Sequence, residues 1–246
     1  MPRGTAAGLG VHAHFLWNAS FRSPCYLATV AGMLSADHPG VNELFALLAY
    51  GEVAAFYRLT DEARMAPDMR GRINLARMAA AEMGHYEMLR TTLEDRGVDV
   101  LGAMSRYAPA LENYHRLTTP STWLEALVKT YVGDALAADL YYALAGSLPE
   151  EVGDLVRAVL AETGHSQFVV AEVRSAVNSS GRQRSRLALW SRRLLGEAIT
   201  QAQYVMADHD ELVDLVMAGG GLGQLSDFFE RLQRTHSERM KDLGLL

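Results

Sequence analysis

The chain of 246 residues is 49% hydrophobic and 21% charged, with a formal net charge of −6. This length is sufficient for a sizeable apolar core, and the acidic balance lacks the basic footprint of a dedicated nucleic-acid-binding protein. The single cysteine, Cys25, excludes an internal disulfide and is typical of a reducing compartment. No apolar run approaches the roughly 18 residues that cross a bilayer, so we expect a cytoplasmic protein without a membrane partner.

In chain order, the predicted elements are helical after a loosely ordered N-terminal extension at residues 1–40, which shows no sustained periodicity. Pro67 separates the first two long helices, and Gly97 stands where a C-terminal cap is expected. Ser121 is the expected N-cap of the third helix, and Pro149 opens the fourth. The predicted helices cover 41–65, 68–96, 121–146, 147–178, 184–208 and a last segment that ends near 243.

The order of these helices favours one fold class. Two long helices joined by a short turn, a longer connection at 97–120, and two more long helices are the connectivity of a ferritin-like bundle. We therefore predict an all-α, ferritin-like four-helix bundle at residues 41–180. Residues 181–246 are predicted to form additional C-terminal helices packed on this bundle.

Two of the long helices carry the pattern Glu-x-x-His, at Glu82 to His85 and at Glu162 to His165. Residues three apart on a helix share a face, so each glutamate and histidine can reach the same ion. Both pairs interrupt an apolar stripe that is expected to face the bundle interior, where an unpaired carboxylate is energetically costly. These carboxylates must therefore be protonated, paired or bound to metal.

The other two helices each supply an acid in the corresponding stripe, Glu52 on the first and Asp134 on the third. Each acid follows a glycine, and both Glu-x-x-His copies read Ala-Glu-x-Gly-His, so the chain predicts two related helical halves. Four carboxylates and two histidines are the ligand set of di-iron and di-manganese bundle proteins. The predicted metal ligands are Glu52, Glu82, His85, Asp134, Glu162 and His165.

Other residues near this centre have weaker signals. A third Glu-x-x-His, from Glu112 to His115, lies in the crossover without a matched acid, and we interpret it as chance. Asp139 points to a different side of its helix from Asp134, so it either orients a ligand histidine or bonds to a neighbouring helix. Tyr131 is expected beside the centre, where it supports the ligands or simply packs.

The segments that carry these residues, with part of the C-terminal region, resemble ferritin-like proteins of actinobacteria described as MiaE-like. The resemblance runs over 41–243, through the segments 49–52, 79–85, 129–139, 161–165 and 187–203. MiaE enzymes are non-haem di-iron monooxygenases that hydroxylate the isopentenyl group of a modified adenosine in tRNA. The resemblance therefore implies two iron ions (manganese is the alternative metal), O2 as co-substrate and an electron-donating reductase as partner. Asp134 departs from the glutamate that is more usual at this position.

Three functions are compatible with the pattern: an O2-dependent hydroxylase, a ferritin-like iron-binding or ferroxidase protein without an organic substrate, and an interaction module with a vestigial metal site. If the substrate is tRNA, an arginine-rich stretch is predicted to contact phosphates, since guanidinium groups match phosphate oxygens. The alternative is a solvated helix face. The stretch contains Arg182, Arg184, Arg186, Arg192 and Arg193. Both tRNA and a second copy of the chain, in a homodimer, remain open as partners.

Overall fold

The computed structural model describes residues 35–145, 148–160, 166–218 and 222–246. The predicted N-terminal extension lies outside the described residues up to position 34. Within the described ranges, the regular secondary structure is entirely helical, which confirms the all-α prediction. The helices are α1 (Pro39–Ala63), α2 (Met69–Asp95), α3 (Val100–Ser105), α4 (Ala108–Leu117), α5 (Trp123–Ala145), α6 (Glu150–Val159), α7 (Ser166–Asn178), α8 (Gly181–Asp208), α9 (Asp210–Ala218) and α10 (Leu222–Asp242).

Local capping residues set the bounds of the first two long helices. The Nδ1 atom of His38 accepts a hydrogen bond from the amide of Gly40 at the start of α1, and Asp68 accepts one from Gly71 at the start of α2. Gly97 has a φ of 71° and closes α2 as predicted. Its amide and that of Val98 reach back to Glu94 and Leu93, which is the hydrogen-bond pattern of a Schellman motif.

The start of α5 differs by one residue from the prediction. Thr122, rather than Ser121, provides the side-chain cap, because its Oγ1 accepts a hydrogen bond from the amide of Glu125 at 3.3 Å. The Glu125 carboxylate accepts in turn from the amide of Ser121 at 2.7 Å. The two bonds resemble the reciprocal bonds of a capping box and fix the direction in which the chain enters the bundle.

Apolar faces of the long helices form the core in two clusters. One joins α1 to the end of α2 and to α3, through residues such as Phe45, Leu48 and Leu93. The other joins α2, α5, α7 and α8, through residues such as Leu75 and Leu127. Since α1 lies along α2 and α5 lies against α7, the four-helix arrangement agrees with the predicted connectivity.

Two predicted segments differ in detail. The crossover at 97–120 contains α3 and α4, because Asp99 caps Gly102 and Pro109 stands in the first turn of α4, where its missing N–H is tolerated. The predicted fourth helix is described in two parts: α6 ends at Val159, and α7 begins at Ser166. Residues 161–165 lie outside the described residues.

The C-terminal helices pack directly on the bundle. α8 lies against α5 and α4, α10 lies against α5 and α8, and α9 covers the start of α1. The indole N–H of Trp190 donates to the carbonyl of Glu125 at 2.9 Å and ties α8 to α5. None of the described helices combines the length and apolar character that crossing a membrane requires.

Candidate metal centre

Glu52, Glu82 and His85, which we call the α1–α2 triad, converge between the first two long helices. The Nδ1 atom of His85 lies 3.4 Å from a carboxylate oxygen of Glu52 and 3.4 Å from one of Glu82. One ligand-type atom from each of the three residues lies within 4.8 Å of the other two. The short turn between α1 and α2 brings Glu52 level with the Glu-x-x-His pair, as the sequence pattern predicts.

The surroundings of the triad are largely apolar. Glu52 is 9% exposed, and Glu82 and His85 are partly buried. Leu48 precedes Glu52 by one turn on α1, and Leu89 follows His85 by one turn on α2; both are buried. Water is therefore largely kept from the two carboxylates, which makes their negative charges costly unless a cation or a proton offsets them.

The protonation equilibria of the triad reflect this cost. Burial raises the pKa of Glu52 to about 8, although the hydrogen bond with His85 opposes the shift. For Glu82, burial acts in the same direction, but hydrogen bonds with His85 and Glu52 and the charge of Arg58 outweigh it and lower the pKa. Hydrogen bonds to Glu52 and Glu82 raise the pKa of His85 to about 9. Without a metal, protons compensate the two acids.

The donor set fits a first-row divalent metal ion. Two carboxylates and one imidazole are mixed oxygen and nitrogen ligands of the kind that iron and manganese accept. Their atoms are close enough together for a single ion to replace the shared protons. Imidazole must lose its proton to bind metal, so the raised pKa of His85 means that an incoming cation has to displace that proton.

The other predicted ligands remain predictions. Asp134 lies on α5, and its side chain is outside the described part of the structure. Glu162 and His165 lie in the segment 161–165, which is also outside the described residues. The structure therefore brings together three of the six predicted ligands. The other three are supported only by the internal repeat of the sequence.

Asp139 bonds to a neighbouring helix, which was one of its two predicted roles. Its carboxylate accepts two hydrogen bonds from the guanidinium of Arg239 on α10, at 2.5 and 2.7 Å, and one from the hydroxyl of Thr235 at 3.0 Å. A role in orienting a ligand histidine stays a prediction. Tyr131 is partly buried against the second core cluster, as simple packing requires.

The arginine-rich stretch lies on the first half of α8, and three of its five guanidinium groups bond within the protein. Arg186 pairs with Glu125 at 2.9 Å, Arg193 donates to the carbonyl of Leu117 at 2.6 Å, and Arg184 donates to that of Val177 at 3.4 Å. All five arginines are exposed. The pairing means that these three are held in place by the fold, while phosphate contact stays a prediction.

The third Glu-x-x-His lies on α4 and forms no metal-ligand group with other described residues. Glu112 accepts a hydrogen bond from the hydroxyl of Tyr50 at 2.8 Å. Burial, followed by the charges of Arg58 and Lys129, lowers the pKa of His115 to about 3. The sequence pattern missed the polar pocket to which these residues belong, although the lysine within an otherwise apolar stretch of α5 was a signal for it.

An all-helical bundle with a carboxylate–histidine group between its first two long helices defines the ferritin-like class of proteins. The family model described as "Ferritin-like domain, actinomycetes" matches residues 37–219, and the chain belongs to this family. The match covers α1 to α9 and leaves α10 outside. No curated protein matches the chain.

Proposed function

We propose that this protein is an O2-dependent hydroxylase with a dinuclear metal centre, most simply two iron ions. The observation that carries the proposal is the convergence of Glu52, Glu82 and His85 inside an apolar bundle of ferritin-like class. Two acids and an imidazole so close together and shielded from water need protons or a cation to compensate their charge, and a metal ion can replace the shared protons. The internal repeat supplies a matching set, Asp134, Glu162 and His165, for the second ion.

The residues of the chain hold and shield the centre. Glu52 and Glu82 offer carboxylate oxygens, and His85 offers a nitrogen once its proton has left. When bound, the metal pair supplies O2 activation for oxygen insertion into a C–H bond, with electrons from an external reductase. Buried side chains such as Leu48 and Leu89 keep bulk water away from the ligands, so the centre would be shielded from water when the metals are bound.

An apolar cavity supports an organic substrate with an aliphatic group. The cavity has a volume of about 220 Å³ and lies between α1, α4, α5, α8, α9 and α10. Leu44, Leu136, Ile199 and Val205 are among its walls, and it reaches Gly133, the residue before the predicted ligand Asp134. An aliphatic side group would fit such a lining. The MiaE-like resemblance suggests an isopentenyl group on tRNA adenosine, with the arginine-rich start of α8 as the phosphate-contacting surface.

The metal part of the proposal is tested by metal analysis of protein purified without chelators. We expect about two iron or manganese ions per chain, as in other di-metal carboxylate bundles. Fewer than about one ion per chain would contradict a dinuclear centre. Such a result would favour an interaction module with a vestigial site.

The substrate part is tested by comparing cells with and without this gene. Mass spectrometry of digested tRNA should show a hydroxylated isopentenyl-adenosine nucleoside that disappears in the deletion strain and returns with the wild-type gene. A complementing gene that carries His85→Ala should not restore it. An unchanged nucleoside profile would remove tRNA as the substrate without affecting the metal centre.

Gel filtration separates the hydroxylase from a ferritin-like iron-binding or ferroxidase protein. Storage needs a large hollow assembly, whereas a hydroxylase functions as a monomer or a homodimer. The packing of α8 and α10 on α5 covers one side of the bundle and argues against a simple cage subunit. A large assembly that takes up ferrous iron would favour the storage function instead.

A further inference from the structure

A second polar site lies between α1, α4 and α5. It is a cavity of about 420 Å³, within the range of small-molecule binding sites. Its charged and polar walls include the third Glu-x-x-His, which has no role in the metal centre. The lining residues that matter here are Tyr50, Arg58, Glu62, Glu112, His115 and Lys129, and we call the site the Lys129 pocket.

Lys129 is the unusual member of this pocket. The residue is 2% exposed, yet its ammonium group makes no hydrogen bond to any described residue. Among the described acids it pairs with Glu62, with 3.9 Å between Nζ and Oε1, and the ring of Tyr114 is 5.8 Å away. The chain uses lysine only twice, at Lys129 and Lys241, among 23 basic residues. A buried ammonium group whose N–H donors are unused carries a large desolvation cost.

The acids of the pocket are largely engaged by other partners. Glu62 pairs with Arg58 at 3.0 Å, and the same guanidinium nitrogen donates to Thr130 at 2.9 Å. Glu112 accepts from Tyr50, and the side chain of Asp61 is 76% exposed at the rim. Glu62 is therefore held by Arg58, and the ammonium of Lys129 has no described acid within hydrogen-bond distance.

The electrostatics of the pocket agree with the lack of a close counter-charge for Lys129. Burial, followed by the charge of Arg58, lowers the pKa of Lys129 to about 7, and Glu62 only partly opposes the shift. The neighbouring His115 is kept neutral by burial and by the same two cations. Its Nδ1 atom is buried and has no hydrogen-bond partner among the described residues, and the same holds for Oε1 of Glu62. The pocket thus offers the donors of Lys129, an unpaired acceptor on Glu62 and an imidazole nitrogen that can donate or accept.

We propose that the Lys129 pocket binds a small organic oxyanion, a carboxylate or a phosphate that also carries a hydroxyl or amino group. The oxyanion accepts hydrogen bonds from the ammonium of Lys129, and the hydroxyl or amino group donates to Oε1 of Glu62. Arg58 contributes positive charge while it stays bound to Glu62. The site is separate from the α1–α2 triad, because none of the triad residues lines this cavity.

The two lysines of the chain make a direct experiment possible. Reductive methylation modifies lysine amines, and peptide mass spectrometry reports Lys129 and the exposed Lys241 separately in the same sample. Lactate and inorganic phosphate serve as probes, with sodium chloride at matched ionic strength as the reference. At a concentration ten times its dissociation constant, a probe that fills the site should slow methylation of Lys129 by about tenfold and leave the methylation of Lys241 unchanged.

The outcome also identifies the class of ligand. Protection by lactate indicates a carboxylate ligand, and protection by phosphate indicates a phosphate ligand. If neither probe protects Lys129 beyond the chloride reference, the proposal is wrong.

Calorimetry with two matched variants provides the second test. Lys129→Met is unbranched and one atom shorter, removes the charge and suits a buried position, so we expect it to fold and to lose probe binding. Lys241→Met is the control and should bind as the wild type does. Binding that survives in Lys129→Met would overturn the proposal. Bound metal is measured on the same samples. Unchanged metal content together with lost anion binding in Lys129→Met shows that the two sites are independent. A wrong prediction for the Lys129 pocket can therefore be distinguished from a wrong prediction for the metal centre.

Discussion

The Glu-x-x-His on α2 and the one on α4 have the same spacing but opposite electrostatic surroundings. On α2, His85 lies between two carboxylates, Glu82 from its own motif and Glu52 from α1, and its pKa is raised to about 9. On α4, Glu112 is bonded to Tyr50, and burial beside two cations lowers the pKa of His115 to about 3. A metal-type site therefore needs a third ligand from a neighbouring helix, which the spacing alone does not provide.

The largest expected difference between the two motifs concerns metal content. Glu82→Ala or His85→Ala should remove most of the bound metal and leave the helical content largely intact, because each variant deletes a ligand from the triad. Elemental analysis and far-UV circular dichroism measure both quantities. The matched controls are Glu112→Ala and His115→Ala, for which we expect wild-type metal content. Full metal content in either α2 variant would refute the assignment of the triad.

The next difference is the titration of the two histidines in metal-free protein. His85 should stay protonated up to about pH 9, whereas His115 should stay neutral down to about pH 3. NMR titration of the imidazole signals, assigned with His85→Ala and His115→Gln, measures both. Similar midpoints near the ordinary histidine value of about 6.5 would show that the two environments are alike.

These shifts also predict opposite effects on stability. The pKa of His85 is raised in the folded protein, so its protonation stabilises the fold at pH values below the pKa of an unfolded histidine. This contribution is lost as the pH rises through the folded-state pKa of about 9. The pKa of His115 is lowered in the folded protein, so the neutral imidazole favours the fold at higher pH. This contribution to the free energy of unfolding is lost as the pH falls from about 6.5 towards 3. His115→Gln should therefore flatten the loss of unfolding free energy on the acidic side, which urea unfolding of metal-free protein measures. An unchanged slope would contradict the buried, neutral imidazole.

The smallest differences concern the third position of each motif, Gly84 on α2 and Tyr114 on α4. Tyr114 packs beside Lys129 and lines the apolar cavity, so Tyr114→Ala should lower the free energy of unfolding by about 2 kcal/mol. A Cβ atom added at Gly84 would meet nothing within 4 Å. Gly84→Ala should therefore raise that free energy by about 0.5–1 kcal/mol through helix propensity. Chemical denaturation measures both, and a destabilised Gly84→Ala variant would reveal a close packing requirement that the structure lacks.

Much of the fold follows from local sequence rules. Apolar periodicity gave the long helices, and turn residues such as Pro67 and Gly97 gave their ends within about two residues. The convergence of the triad was also predictable, because three-residue spacing on α2 and a short turn from α1 leave few other arrangements. The second half of the centre stays a prediction, since Glu162 and His165 lie outside the described residues.

Other features could not be predicted because they depend on partners far apart in the chain. The pairing of Asp139 with Arg239 joins residues 100 positions apart, and no periodicity indicates it. The Lys129 pocket combines α1, α4 and α5, and it required α4 to be recognised as a helix. The sequence predicted only a longer connection at 97–120, whereas Pro109 stands in the first turn of α4, where proline is compatible with the start of a helix.

The bond between Asp139 and Arg239 ties α10 to the helix that carries the predicted ligand Asp134. α5 carries Asp134, and the forked guanidinium on α10 grips that same helix little more than one turn away. A protein truncated before Arg239 would leave the carboxylate of Asp139 without its counter-ion and would remove the ion pair that joins α5 to α10. If Asp134 holds a second ion as proposed, shortening or tagging the C-terminus should therefore change the binding of that ion through the position of α5, although α10 supplies none of the predicted ligands.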